Sequence, residues 1–224
     1  MVAFSSIVLA VSAIAGSAFA APTADVPDFE FNGPNKAVAL AARQDYNQNY
    51  RTSGNVNFQP KNNGYSVNFS NADDFVVGKG WSKGTTRAIK FSGSTQPQSG
   101  TVLVSVYGWS TSPLVEYYIQ EYTSNGSGSA QGTKVGSVTC DGSVYDIWKH
   151  TQVNQDSIQG KATFPQYISN RRDKRPGSGT VTTKCHFDAW AKYGMNLGTM
   201  NYQVLATEGW GKAGGNSAYT ISSA

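Results

Sequence analysis

The chain has 224 residues, enough to bury one sizeable core and short for two, so one domain plus segments removed in transit is the expectation. Charged residues make up only 14%, while Gly, Ser, Thr, Asn and Tyr are plentiful and helix formers such as Leu are scarce, a balance that favours strands and turns. The formal net charge of +4 reads mainly as an aid to solubility, with attraction to an acidic polymer as the alternative.

The N-terminus sets the compartment. Met1 to Ser6 lacks the usual basic side chain, but Ile7 to Ala15 is largely apolar and Ala18-Phe19-Ala20 offers the small-x-small site of signal peptidase. Residues 1–20 are therefore expected to be a signal peptide. The apolar run is too short to span hydrocarbon, and no later segment approaches about 20 apolar residues, so a secreted, extracellular protein without a membrane segment is expected. Pro22, Pro27 and Pro34 interrupt residues 21–43, which read as a propeptide, or else as a disordered mature N-terminus. The folded domain is placed at 44–224.

From Asn55 onward, short alternating segments are separated by Gly, Ser, Asn and Pro turns, the pattern of an antiparallel sandwich or barrel. In Thr101 to Tyr107, Val102, Val104 and Val106 share one face, and Leu103, Ser105 and Tyr107 the other. In Val115 to Gln120, Val115, Tyr117 and Ile119 oppose Glu116, Tyr118 and Gln120. Asn68-Phe69-Ser70 and Asn125-Gly126-Ser127 are sequons consistent with glycosylation at Asn68 and Asn125. Cys140 and Cys185 are the only cysteines, and in an oxidising compartment they form a disulfide candidate worth about 3 to 4 kcal/mol in the chain-entropy model, though spacing alone does not show that they meet. The basic run Arg171 to Arg175 leads into Pro176-Gly177 and reads as a solvated hairpin loop rather than a nucleic-acid patch. Phe187, Trp190, Ala191 and Gly194 recur at helical spacing, so Phe187 to Tyr193 is expected to be a helix stopped by Gly194, with Trp190 packed on a sheet.

Several chemistries lose support. His150 and His186 make no metal spacing with the cysteines, and neither a phosphate loop nor a Gly-x-Ser-x-Gly elbow occurs. What remains is a Tyr- and Trp-rich chain with isolated carboxylates. Aromatic faces stack on sugar rings, whose axial C–H groups are apolar, and glycosidic cleavage usually needs two carboxyl groups. Glu116, mid-strand in Pro113-Leu114-Val115-Glu116-Tyr117-Tyr118-Ile119, and Glu208, in Val204-Leu205-Ala206-Thr207-Glu208-Gly209-Trp210, are odd places for charge. Exposed strand carboxylates are common, and composition alone favours that plainer reading.

These two segments, however, resemble the paired signatures of glycoside hydrolase family 11 endo-1,4-β-xylanases. Asp74-Phe75-Val76-Val77-Gly78-Lys79-Gly80-Trp81, Ser105-Val106-Tyr107-Gly108-Trp109, Asp141-Gly142-Ser143-Val144-Tyr145 and His186-Phe187-Asp188-Ala189-Trp190 match in order and approximate spacing, and the likeness covers roughly Tyr46 to the C-terminus. The resemblance implies an all-β jelly roll of two twisted antiparallel sheets with a single α-helix on the back, and retaining hydrolysis of xylan without cofactor or metal. It implies Glu116 as nucleophile and Glu208 as acid/base, with carboxyls about 5 to 5.5 Å apart. Tyr107, Tyr118 and Gln166 match substrate-lining positions, and Tyr50 falls roughly where a stacking Trp is common. Asp74 occupies the place beside the acid/base where Asp accompanies an acidic pH optimum. Cys140 and Cys185 match a disulfide found in some heat-stable members.

Departures stand beside the matches. Val153 to Ile158 corresponds to the mobile thumb, but its Pro-Ser-Ile tip here reads Asp156-Ser157-Ile158. Gln152 stands where an Arg is common and Ile168 where an aromatic is usual, so substrate affinity and thumb closure are open. The protein is expected to be a monomer whose partner is xylan, with no nucleic acid or membrane, and plant xylanase inhibitors are further candidates. The rival readings are a carbohydrate-binding jelly roll with weak or no turnover and a protein recognised by plant immunity.

Overall fold

The computed structural model describes residues 44–126 and 132–224. The expected signal peptide and propeptide lie outside the described residues, as does Ser127 of the second sequon. Along the chain come β1 (Tyr46–Arg51), β2 (Asn55–Lys61), β3 (Gly64–Trp81), β4 (Ala88–Thr111), β5 (Val115–Thr123), β6 (Thr133–Cys140), β7 (Ser143–Gln155), β8 (Ala162–Arg171), β9 (Ser178–Thr182), α1 (Thr183–Lys192) and β10 (Thr199–Ser223). Among the described residues α1 is the single α-helix, and no helix is long and apolar enough to cross a membrane.

Hydrogen bonding runs through one ten-stranded sheet in the order β1-β3-β10-β4-β5-β8-β7-β6, with β2 on β3 and β9 on β4. Three strands are far longer than one layer needs: β3 has 18 residues, β4 has 24 and β10 has 25. Each serves both layers of the jelly roll. β2 pairs with the first half of β3 and β1 with the second, while β9 pairs with the start of β4 and β5 with its end. The long strands turn over at one level, where Asn71, Gly100 and Gly211 take positive φ of 50°, 67° and 69°. There the register of β10 slips on both sides of Ala213. A Cβ on Gly100 would meet the Trp210 carbonyl oxygen at 2.6 Å, so this bend requires glycine. The two layers expected as separate sheets are thus halves of one sheet folded over at these bends.

The alternation in the sequence sorts the two faces as expected. Val102, Val104, Val106, Val115, Tyr117 and Ile119 join Tyr65, Phe91, Tyr219 and Trp190 in the larger core. The opposite face of the same strands carries a second cluster of Val76, Tyr107, Trp109, Tyr118, Phe164, Ile168, Tyr202, Val204 and Ala206, which floors a cleft.

Helix α1 begins at Thr183, earlier than the apolar spacing suggested, because its first turn is buried through polar residues. Thr183 Oγ1 donates to the Arg87 carbonyl at 2.6 Å, and His186 is fully buried. Gly194, at φ 71°, follows the end of the helix as expected. Trp190 is core, its Nε1 donating to Ser169 Oγ at 2.9 Å. Cys140 and Cys185 are disulfide-bonded with Cα atoms 6.2 Å apart, tying the end of β6 to the start of α1.

The basic run is only in part the solvated loop expected of it: Arg172, Asp173 and Lys174 are exposed, but the arginines at its two ends turn inward. Arg171 is buried and donates to the Tyr145 hydroxyl at 2.6 Å, and Arg175 Nε donates to the Glu121 carboxylate at 2.7 Å. Arg172, paired with Asp146, is an ordinary surface cation, and Lys174 is exposed with its Nζ donating to the Thr123 carbonyl at 2.9 Å. A fully buried Glu121, distant in sequence, draws the two end arginines inward, which local composition cannot reveal.

Candidate active site

The cleft of about 310 Å³ lies on the face bearing the second cluster. It is lined by Tyr46, Tyr50, Asp74, Tyr107, Trp109, Glu116, Tyr118, Gln152, Asp156, Ser157, Phe164, Gln166, Tyr202 and Glu208 among others. A neighbouring cavity of about 220 Å³ shares Asp74, Tyr118, Gln152, Gln166 and Glu208 and adds Ile168 and Trp210, so the depression continues past Glu208. Every lining position proposed from the sequence, including Tyr50 and Ser157, is brought to this one place.

Strand alternation puts Glu116 and Tyr118 on the cleft side of β5, and β4 supplies Tyr107 opposite Tyr118. β5 and β8 run parallel, which sets Gln166 directly beside Glu116. The Glu116 carboxylate consequently accepts from Tyr107 Oη at 2.7 Å and Tyr118 Oη at 3.0 Å on Oε1, and from Gln166 Nε2 at 2.7 Å on Oε2. Trp109 Nε1 donates to the Tyr107 hydroxyl at 2.8 Å and fixes its direction. Burial raises the pKa of Glu116, these three donors pull it back, and the charge of Asp74 adds a smaller upward push.

Glu208, on β10, is buried to a similar degree but differently served. Its Oε2 has no hydrogen-bond partner among the described residues. Burial raises its pKa well above the carboxylate range, the charges of Glu116 and Asp74 raise it further, and only the Tyr118 hydroxyl works the other way. The two glutamates thus differ in environment: burial raises both, but three donors hold Glu116 back while two neighbouring acids push Glu208 further up.

Asp74 sits opposite Trp210 in the β3–β10 pair, and burial raises its carboxyl too. Tyr50, on β1, has its phenol raised by burial and then by the charges of Asp74, Asp156 and Glu116. In the β7–β8 loop, Ser157 Oγ donates to the Gly160 carbonyl at 2.6 Å and accepts from Gln159 N at 3.0 Å, so its hydroxyl serves the turn. Ile168 is buried beneath the second cavity, and Gln152 lines both. Sequence reasoning gave no role to Trp109, Tyr202 or Trp210. Period two carries the signal for each: Trp109 is two residues from Tyr107, Trp210 two from Glu208, and Tyr202 lies on the face of Val204 and Ala206.

A cleft on one face of a folded-over sheet, walled by tyrosine and tryptophan and holding two buried carboxyls in unlike surroundings, defines a glycoside hydrolase. The family model for Glycosyl hydrolases family 11 matches residues 42–219, and the chain belongs to that family. It is 51% identical over 97% of its length to Endo-1,4-beta-xylanase 1 of Hypocrea jecorina, covering 98% of that protein. It is 49% identical to Ethylene-inducing xylanase 2 of Botryotinia fuckeliana, over 96% of this chain and 97% of that one. A solved structure from a comparison of two major endo-1,4-β-xylanases of Trichoderma reesei superposes with a TM-score of 0.77 at 55% identity, covering 81% of this chain and 99% of the other.

Proposed function

We propose that the cleft hydrolyses internal β-1,4 bonds of xylan with retention of configuration, Glu116 acting as nucleophile and Glu208 as acid/base. The chain is an endo-1,4-β-xylanase, in keeping with its family and its relatives. The observation that carries the division of roles is the hydrogen-bond asymmetry: three donors on Glu116, and a free, buried Oε2 on Glu208.

In the first step a Glu116 carboxylate oxygen attacks the anomeric carbon and forms a glycosyl ester as Glu208 gives its proton to the departing sugar oxygen. In the second, Glu208, now anionic, takes a proton from water, whose oxygen displaces Glu116 and restores the starting state. Two inversions give net retention. Tyr107, Tyr118 and Gln166 hold the nucleophile in place, while Tyr50 and the other aromatic walls offer faces to successive xylose rings. Asp74 shares the proton economy of Glu208 and gives an acidic optimum. The leader sequence and Cys140–Cys185 bond support a secreted enzyme acting on plant cell wall xylan.

The test is reducing-sugar release from xylan, cellulose and mannan by the wild type and Glu116→Ala, with the anomer of the first product read by NMR. Xylan-specific release that disappears in the variant, with a β-anomer formed first, is expected; an α-anomer first would sink the double displacement. A second role, recognition by plants independent of turnover, is favoured by the relative named an ethylene-inducing xylanase. A Glu116→Gln/Glu208→Gln double variant that keeps full ethylene induction would establish it.

A further inference from the structure

The chain as a whole is basic, but its cleft is not. Asp74, Glu116, Asp156 and Glu208 all face the two connected cavities, and among the described lining residues there is no Lys or Arg. Asp74, Glu116 and Glu208 stand on the sheet. Asp156 is different: it sits at the tip of the β7–β8 loop, where the family has proline, and its carboxylate meets Lys161 Nζ at 3.1 Å.

That ion pair is a poor brace. Its side chains are 63% and 64% exposed, and exposed pairs contribute little to stability. The loop is held by other bonds: Ser157 Oγ to the Gly160 carbonyl, Gly160 N to the Ser157 carbonyl at 3.2 Å and Asn154 N to Thr163 Oγ1 at 3.3 Å. What the pair does control is charge. Lys161 is absent from the cleft lining, whereas Asp156 lines it and its field reaches Tyr50 on β1, far from β7 in the strand order. With Gln152 in place of a cation and three carboxyl groups on the floor, the tip charge meets no counterweight inside the cleft.

Resting on the xylanase reading of this cleft, we propose that the Asp156–Lys161 pair is a specificity determinant, setting how far the enzyme tolerates xylan that carries uronic acid branches. A uronate near the tip meets a neutral pair in the wild type. Asp156→Asn leaves a lone ammonium there, which attracts the branch; Lys161→Gln leaves a lone carboxylate, which repels it. One unit charge at about 8 to 10 Å in a water-filled cleft changes binding by about twofold.

The experiment measures kcat/KM on glucuronic acid-substituted xylan and on neutral arabinose-substituted xylan, at a pH where the branch is ionised. Wild type, Asp156→Asn, Lys161→Gln and the double variant are compared. The uronic-to-neutral ratio is expected to rise about twofold in Asp156→Asn, fall about twofold in Lys161→Gln and return to wild type in the double variant, with the spread shrinking as salt is raised. A structural brace predicts otherwise, because both single variants break the same pair and move the ratio the same way; that result, or an unmoved ratio, overturns the proposal alone. A wild type that cleaves neither xylan overturns the xylanase reading and this inference together.

Discussion

Replacing Cys140 and Cys185 with serine removes one cross-link, and its worth follows from the chain it closes. The two residues are 45 apart in sequence. Opening a loop of that size returns entropy to the unfolded chain worth about 4 kcal/mol at 25 °C. In a domain of this size each kcal/mol moves the melting midpoint by about 2 to 4 °C, so a fall of about 8 to 16 °C is expected. Circular dichroism melts at one fixed scan rate, on the wild type, both single variants and the double, separate two explanations. If the cross-link is the cause, all three variants fall together, because each lacks the same bond. If local packing is the cause, Cys140→Ser falls further than Cys185→Ser, since Cys140 is buried and Cys185 is only partly so. Unequal single variants, or a common fall under about 3 °C, would refute the entropic account.

Asp74→Asn should move the alkaline limb of the kcat/KM profile to higher pH. An acidic optimum beside a Glu208 held far up requires that limb to report loss of the Asp74 proton, which an amide cannot lose; a limb that moves down would mean that Asp74 acts only as a fixed anion. Gln166→Ala strips one donor from Glu116, so its pKa rises, the acid limb moves up, and about 1.5 to 3 kcal/mol of carboxylate stabilisation is lost. His186 is buried with both ring nitrogens unpartnered, and burial pushes its pKa down to about 3 from 6.5. Between those values the unfolded chain binds a proton that the folded one refuses, so stability falls by about 1.4 kcal/mol per pH unit on acidification. Urea melts of His186→Leu should lack that contribution below pH 6.5 and match the wild-type slope above it.

The faces of β4 and β5 were readable because side chains alternate strictly along a strand, and alternation survives without knowledge of partners. Partners themselves were not readable. The parallel β5–β8 pairing that places Gln166 on Glu116 joins segments 50 residues apart, so its place rested on family resemblance rather than local pattern. The start of α1 was hidden because Thr183 and His186 fill buried positions with polar atoms. The bends had a local sign in Gly100, which follows Pro97-Gln98-Ser99, and in the glycine-rich stretch of Gly209, Gly211, Gly214 and Gly215, but only the fold shows that they align.

Glu121 shows why burial alone does not make a catalytic acid. It lies five residues from Glu116 on the same strand and is fully buried. Yet the alternation of β5 turns it to the core side, and the bulge opposite Val104 and Ser105 falls at this residue. There Arg175 reaches it at 2.6 Å and Tyr145 Oη at 2.7 Å. Burial pushes its carboxyl up; the charge of Arg175, the Tyr145 hydroxyl and the charge of Arg171 pull it back. Glu208 experiences the same desolvation with acids, not cations, for neighbours. A buried carboxyl given a guanidinium becomes part of the scaffold, while one denied any cation keeps its proton for something else. The difference lies in which face of the sheet each strand position meets, so a one-residue slip of β5 would carry Glu116 toward the core and dismantle the site.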